Sequence, residues 1–189
     1  MKIHPHDQLV LDRVAKAGDN LLSRAVAWSE INSGSRNDAG LARMLDVLEA
    51  EARTLPADIA RIPTSPSSIV GDDGRVIEQA HADCLKITAR PGAPIQVDLT
   101  GHYDTVFPAD SPFQTVTKRA DGALNGPGLA DMKGGISVLL GALEAFEAHP
   151  DKDRVGWTVL LSPDEEIGSP ASAPLLAALG ARGHVGLTY

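Results

Sequence analysis

The first fifty residues carry apolar positions at helical spacing. From about Pro5 to Trp28, apolar residues recur every three or four positions with polar residues between them. The apolar positions are Leu9, Leu11, Val14, Ala15, Leu21, Leu22, Ala25 and Val26. This period predicts one or two amphipathic helices. After a loop-like stretch, Asp38 is a candidate cap for a second helix, which carries Leu41, Met44, Leu45 and Leu48 and should stop near Pro56.

From residue 57 onward the pattern changes to that of strands alternating with helices. Strands are predicted in RVIEQA, CLKITARP and PIQVDLT, and Asp121-Gly122 is predicted as a hairpin turn between two short strands. A helix over 133–148 follows, and WTVLLS at 157–162 has the continuous apolar character of a strand buried on both faces. A helix around Pro170 to Leu179 and a strand in HVGLTY complete the series.

This order of elements predicts an α/β fold. Helices that alternate with buried strands indicate a three-layer α/β/α sandwich with a mixed, partly parallel sheet. A chain of 189 residues is long enough for one domain with a substantial core, but not for a second full domain.

Composition and charge narrow the classes of partner. The chain has 25 acidic and 17 basic residues, a formal charge of -8, and no run of Lys or Arg. Such a surface repels phosphate backbones and anionic lipid, so we expect no nucleic-acid and no membrane partner. The single cysteine, Cys84, is interpreted as a buried strand thiol, and the start lacks a secretory pattern. A cytoplasmic location is therefore expected.

Three carboxylate-rich segments carry the candidate chemistry: GHYDTVFP at 101–108, NGPGLADMKGG at 125–135 and SPDEEIGS at 162–169. Each follows a predicted strand or opens a predicted helix, and ligands of open α/β sheets bind at that edge. His102, Asp131 and Glu166 could supply the nitrogen and oxygen ligands of a borderline dication. Asp104, two residues after His102 in extended chain, could hydrogen-bond the imidazole and fix its tautomer.

Other interpretations of these residues are weaker or stay open. A lone HxD or EE pair is usually solvated loop polarity, and it is the joint order of the segments that favours a site. The glycine-rich stretch lacks the phosphate-loop spacing, and no G-x-S-x-G nucleophile motif occurs. Lys133 either neutralises nearby carboxylates or faces solvent. The remaining histidines are interpreted as structural or solvated; they are His4, His6, His81, His149 and His184.

The three segments resemble, in order and spacing, the signature segments of the co-catalytic zinc hydrolases. That family includes glutamate carboxypeptidase, acetylornithine deacetylase and succinyl-diaminopimelate desuccinylase, and the resemblance spans roughly residues 20–189. It implies two zinc ions per site, which Co²⁺ or Mn²⁺ can replace. It implies that His102 binds one metal, Asp131 bridges both and Glu166 binds the other. Asp104 would then orient His102, and Glu165 would be the catalytic base.

The resemblance also implies a cis peptide bond between Asp131 and Met132 and hydrolysis of an amide bond in a small substrate, by a peptidase or an acyl-amino-acid deacylase. The family's remaining carboxylate and second histidine are not found before Tyr189. Residues 1–189 are therefore expected to be an apparently truncated, amino-terminal part of the catalytic domain, without the lid and dimerisation domain. Alone, the chain is expected to bind zinc weakly and to be inactive; the alternative is a non-catalytic metal-binding fragment. The resemblance allows a homodimer for the full-length form.

Overall fold

The computed structural model describes residues 3–71 and 73–189. Four α-helices lie along the chain: α1 (Pro5–Ser29), α2 (Asp38–Ala52), α3 (Gly134–Phe146) and α4 (Ala173–Gly180). Nine strands accompany them: β1 (Asp58–Ile62), β2 (Ser67–Val70), β3 (Val76–Gln79), β4 (Cys84–Ala89), β5 (Ile95–His102), β6 (Thr117–Lys118), β7 (Leu124–Asn125), β8 (Val155–Ser162) and β9 (Val185–Thr188). Short helical turns lie at Leu129–Lys133, Lys152–Arg154 and Glu165–Ile167.

A five-stranded mixed sheet, in the order β1-β4-β8-β5-β9, forms the centre of the fold. Strands β5 and β9 run parallel to each other and β5 runs parallel to β8, whereas β4 pairs with β8 and with β1 in the antiparallel sense. The register sets His102, the last residue of β5, opposite Ser162, the last residue of β8. The segments that follow these two strands therefore emerge side by side at one edge of the sheet.

The two faces of the sheet are covered unequally, and together they give the predicted three layers. One face packs against α2, α3 and the end of α1 through a continuous apolar core that includes Leu48, Ile87, Leu139, Trp157 and Val159. The other face carries polar strand residues and, among the helices of the described residues, is covered by α4, whose residues are all at least partly exposed. The α/β sandwich with a mixed sheet is thus confirmed.

The helix and turn boundaries agree with the apolar pattern, with one correction. The first segment is a single helix of 25 residues. Within residues 3–71 and 73–189, no helix is both long and apolar enough to cross a membrane. The predicted cap of α2 is wrong by one position. Asn37 accepts the hydrogen bond from the Gly40 amide at 3.1 Å, whereas Asp38 is the first residue of the helix. The Asp121-Gly122 turn joins β6 and β7, with Gly122 at φ 87°.

Candidate metal centre

His102 reaches the site from the carboxyl end of β5. Its side chain is 7% exposed, with both ring nitrogens facing carboxylates. Nδ1 lies 3.2 Å from Asp104 Oδ1 and Nε2 lies 2.9 Å from Asp131 Oδ1. A neutral ring carries one proton and can donate to only one of these oxygens, so the geometry suits a doubly protonated ring in the metal-free chain.

Asp104 is fully buried and holds several parts of the site together. Its Oδ1 accepts from the backbone amide of Glu165 at 3.2 Å, and its Oδ2 accepts from the amide of Glu166 at 3.1 Å. The Ser35 hydroxyl donates to Oδ2 at 2.8 Å. The carboxylate therefore fixes the backbone of the glutamate pair in addition to facing His102.

Asp131 lies in the tight turn that precedes α3. Gly128 begins this turn with φ 67°, and the Lys133 amide donates to the Gly128 carbonyl at 2.8 Å. The peptide bond between Asp131 and Met132 is cis, which confirms what the resemblance implies. The Met132 side chain is buried, and its sulfur accepts from the His102 amide at 3.1 Å. The Asp131 side chain stays 73% exposed, which leaves its second oxygen open to solvent.

Glu165 and Glu166 open a short helical turn directly after β8. Gly168 ends the turn at φ 89°. Asp164, the residue just before Glu165, is fully buried and accepts from the amides of Ala171 and Ser172 at 2.7 and 3.1 Å. The Glu165 side chain is 55% exposed, whereas Glu166 is half-buried. The two adjacent carboxylates thus differ in their environment, one open to solvent and one turned into the site.

The electrostatics of the site favour an added positive charge. Burial opposes the charge on His102, but the hydrogen bond and charge of Asp104, helped by Asp131 and Glu165, raise the pKa of His102 to about 9. Burial and the neighbouring charges of Asp131, Asp104 and Glu165 raise the pKa of Glu166, against the opposing effect of His102. A histidine that holds its proton and a carboxylate that gains one are both responses to crowded negative charge.

The donor set fits a divalent metal. His102, Asp131 and Glu166 each offer one ligand atom, and the three atoms lie within 4.8 Å of one another. One imidazole nitrogen with carboxylate oxygens is a ligand combination typical of zinc and of other borderline dications. These are the three residues predicted as ligands, and Asp104 and Glu165 lie beside them. The structure thus brings all five predicted site residues together, while their individual roles stay predictions.

A cleft of about 400 Å³ adjoins Glu166. Its walls are the loops at 34–38 and 105–109, with Ile167 at the side of the glutamate turn. A second cleft of about 360 Å³ lies on the sheet face under α4 and is lined by none of the five site residues. The cleft beside Glu166 is therefore positioned to receive a group next to this carboxylate.

The structure contradicts both sequence interpretations of Lys133. Its side chain is 1% exposed, and its ammonium donates to the carbonyls of Trp28 at 3.0 Å and Ile31 at 2.6 Å. In the described part of the chain, no carboxylate lies within ion-pair distance of this ammonium. Cys84 is a buried strand thiol, as predicted, and burial raises its pKa to about 12.

The other five histidines lie outside the candidate centre. His81 Nε2 is 2.7 Å from the Ser67 hydroxyl, and His184 Nδ1 accepts from the Gln96 amide at 3.1 Å. His149 Nε2 lies 3.3 Å from an Asp7 oxygen near the start of the chain. These contacts are structural, in agreement with the sequence interpretation.

Sequence reasoning missed the segment between α1 and α2. We call residues 29–37, which are the last residue of α1 and the loop that follows it, the brace segment, because it contacts the loop after β5 and the turn that carries Asp131. The Ser29 hydroxyl donates to the Pro127 carbonyl at 2.6 Å, and the Ser33 hydroxyl donates to the Tyr103 carbonyl at 2.6 Å. Ser35 then contacts Asp104, as described above. Serines in a polar loop carry no sequence signal that would distinguish these contacts from solvated ones.

An α/β/α sandwich that gathers a histidine and carboxylates at the carboxyl ends of two parallel strands has the architecture of an α/β domain with a candidate metal site at the ligand-binding edge of its sheet. Residues 99–188 match the model of Peptidase family M20/M25/M40, and this part of the chain belongs to that family. Carboxypeptidase G2 from Pseudomonas sp. (strain RS-16) is 33% identical over 150 residues, which are 77% of this chain and 32% of that protein. Succinyl-diaminopimelate desuccinylase from Xanthomonas campestris pv. campestris (strain B100) is 42% identical over 128 residues, 63% of this chain and 33% of that protein. The chain spans about a third of the length of these relatives.

Solved structures share the fold. Human carnosine dipeptidase 1 superposes with a TM-score of 0.76 at 20% identity, covering 100% of this chain and 41% of that one. The M20 family metallo-carboxypeptidase Sso-CP2 from Sulfolobus solfataricus gives a TM-score of 0.67 at 19% identity, covering 90% of this chain and 37% of that one. At such identities the comparison supports the architecture alone.

Proposed function

We propose that the five site residues, His102, Asp104, Asp131, Glu165 and Glu166, form the metal-binding and proton-transfer part of a zinc-dependent hydrolase. This hydrolase would cleave an amide bond in a small peptide or acyl-amino acid. The observation that carries the proposal is the convergence of His102, Asp131 and Glu166 within 4.8 Å, with the exposed Glu165 beside them. The names of the relatives, a carboxypeptidase and a desuccinylase, support amide hydrolysis and leave the substrate open between the two.

The chain's own residues would divide the work as follows. His102, Asp131 and Glu166 would hold two zinc ions, with Asp131 between them and with Co²⁺ or Mn²⁺ as substitutes. Such a pair supplies a water of lowered pKa and polarises the amide carbonyl. Glu165 would take the proton of that water and deliver it to the leaving nitrogen, since its carboxylate is exposed. Asp104 would keep the His102 ring in place through Nδ1.

We further propose that residues 1–189 correspond to the amino-terminal part of a catalytic domain, with the lid and dimerisation domain encoded elsewhere in a longer protein. The match to about a third of each relative supports this proposal. Catalytic zinc usually has three protein ligands, whereas two ions sharing these three residues would have fewer each. The 189 residues alone should therefore bind zinc more weakly than full-length carboxypeptidase G2 and hydrolyse amides too slowly to measure.

The second candidate function is non-catalytic metal binding, which the small ligand set favours. The test uses the complete product of the gene that encodes this chain. Zinc content after dialysis and hydrolysis of N-acyl-glutamate, N-succinyl and dipeptide substrates are measured together. Glu165→Gln should keep zinc and lose about 10²–10⁴-fold in turnover. Glu166→Gln should lose zinc, and Glu78→Gln, on the exposed β3, serves as the matched control.

Each outcome decides between the candidates. Zinc binding with hydrolysis that Glu165→Gln abolishes supports the enzyme. Zinc retained without hydrolysis of any of the three substrate types favours the non-catalytic candidate. A protein that takes up no zinc refutes both, and a Glu165→Gln variant with full activity refutes the assignment of the base.

A further inference from the structure

Lys133 is a buried cation whose partners are backbone carbonyls. It ranks among the largest fully buried side chains of the described residues. Burying an ammonium away from water is unfavourable unless it is well hydrogen-bonded, so a methionine of similar length would be the more favourable occupant of a purely apolar site. The two short bonds to Trp28 and Ile31 therefore point to a specific structural task.

One acceptor, the Trp28 carbonyl, belongs to the last turn of α1, and the other, the Ile31 carbonyl, lies two residues beyond the end of the helix. The last carbonyls of a helix lack intrahelical partners and carry partial negative charge, which a cation stabilises. Helix α1 has no basic residue in its own last turn. Lys133 supplies that cation from a position more than 100 residues further along the chain.

The same residue is fixed to the loop that carries Asp131. Lys133 follows Asp131 by two positions, and its amide donates to the Gly128 carbonyl at 2.8 Å. Its side chain thus joins this turn to Ile31, within the brace segment. From there the brace segment reaches Asp104 through Ser35, and Asp104 holds the amides of Glu165 and Glu166.

We propose that Lys133 is a positioning residue, which locks the Asp131 turn to the brace segment and so maintains the spacing of the three ligand-bearing loops before any metal binds. The proposal deepens the proposed function, because it concerns the same metal centre. It assigns Lys133 no contact with substrate or metal.

The test compares Lys133→Met with Arg24→Met. Arg24 is a suitable control, since it also joins α1 to other helices through a side chain that is only 11% exposed, by ion pairs to Glu51 and Glu144. Amide hydrogen exchange is measured on metal-free protein, and zinc affinity is measured by competition with a chromophoric chelator. Lys133→Met should accelerate exchange in the brace segment and at Glu165, and should weaken zinc binding by about 10- to 100-fold.

Arg24→Met should lower the melting temperature without changing zinc affinity or exchange at the site. Lys133→Arg keeps the charge and the donors, so it should recover most of the zinc affinity. If Lys133→Met fails to fold, Ser35→Ala breaks the next link of the same path and should itself speed exchange at Glu166.

The proposal is overturned if Lys133→Met leaves exchange and zinc affinity like the wild type, or if Arg24→Met changes both equally. Failure of the proposed function is distinguishable from failure of this inference. A wild-type protein that binds no zinc refutes the former, while hydrogen exchange in the metal-free chain still decides the latter.

Discussion

Asp104→Asn tests how the site is held together without metal, because it removes one charge and keeps the shape of the side chain. In the wild type the pKa of His102 is raised from 6.5 to about 9, mainly by Asp104 acting against burial. The charged ring therefore stabilises the fold fully below pH 6.5, and this stabilisation is lost as the pH rises through about 9. The difference between these two pKa values corresponds to about 3 kcal/mol of folding free energy, since one pKa unit is worth about 1.4 kcal/mol.

Asp104 supplies the two largest of the contributions that raise this pKa, so removing its charge should remove most of this stabilisation. A second loss comes from the glutamate turn. Each Asp104 oxygen accepts one backbone amide, from Glu165 or Glu166, so either orientation of the asparagine sets its NH₂ group against an N–H donor. An unpaired buried donor costs about 1 kcal/mol or more. Asp104→Asn should thus lose about 3 kcal/mol at pH 6 and about 1 kcal/mol at pH 10.

Urea denaturation in the presence of EDTA measures both values. The fluorescence of Trp28 and Trp157 reports unfolding, because both rings are buried in the core. Asp46→Asn is the control: Asp46 pairs with Arg61 at the surface, and its loss should cost less than about 1 kcal/mol at either pH. Equal losses for Asp104→Asn at pH 6 and pH 10 would show that the charge of Asp104 does not hold the proton on His102.

Two further substitutions test the loops around the site. Asp164→Ala should lower the unfolding free energy by about 2–3 kcal/mol, because two buried amides at the start of α4 lose their acceptor, whereas the exposed Asp153→Ala should stay within about 0.5 kcal/mol. Gly34→Ala should cost about 1–3 kcal/mol, since its Cβ would lie 2.3 Å from the Phe107 carbonyl oxygen, and Gly92→Ala, with open space around it, should not. Urea denaturation measures the unfolding free energy for both pairs of variants. A Gly34→Ala variant as stable as the wild type would contradict the close packing of the brace segment.

The predictable parts of this protein are those that depend on short stretches of sequence. The continuous apolar run of β8 identifies a strand buried on both faces, and the parallel pairing of β8 with β5 then aligns the ends of both strands. For that reason the sequence alone predicts that His102, Asp104 and the glutamate pair lie at one edge of the sheet. The cap of α2 differs from the prediction because Asn37 and Asp38 are adjacent residues of equal capping tendency, and only the backbone shows which one lies outside the helix.

Long-range polar contacts could not be predicted in the same way. The partners of Lys133 are carbonyls, which every residue possesses, so no pattern of residue types marks Trp28 and Ile31 as acceptors. The charge of a lysine beside an acidic loop suggested an ion pair or a solvated side chain. The fold instead carries the end of α1 over the Asp131 turn and excludes water from the ammonium, and burial lowers its pKa to about 8.

The site separates the atoms that hold its loops from the atoms that face its centre. Both oxygens of Asp104 accept from backbone amides, with a serine hydroxyl and the Nδ1 atom of His102 beside them, while the Lys133 ammonium donates to the carbonyls of Trp28 and Ile31. Neither side chain donates to or accepts from the cluster formed by His102 Nε2, Asp131 and Glu166, whose ligand atoms lie within 4.8 Å of one another. His102 Nε2 lies 2.9 Å from Asp131 Oδ1, and Asp104, acting against burial, raises the pKa of His102 to about 9, so the cluster favours added positive charge. Because the supporting bonds do not involve the cluster, we expect a cation to enter it without rearrangement of the loops around it.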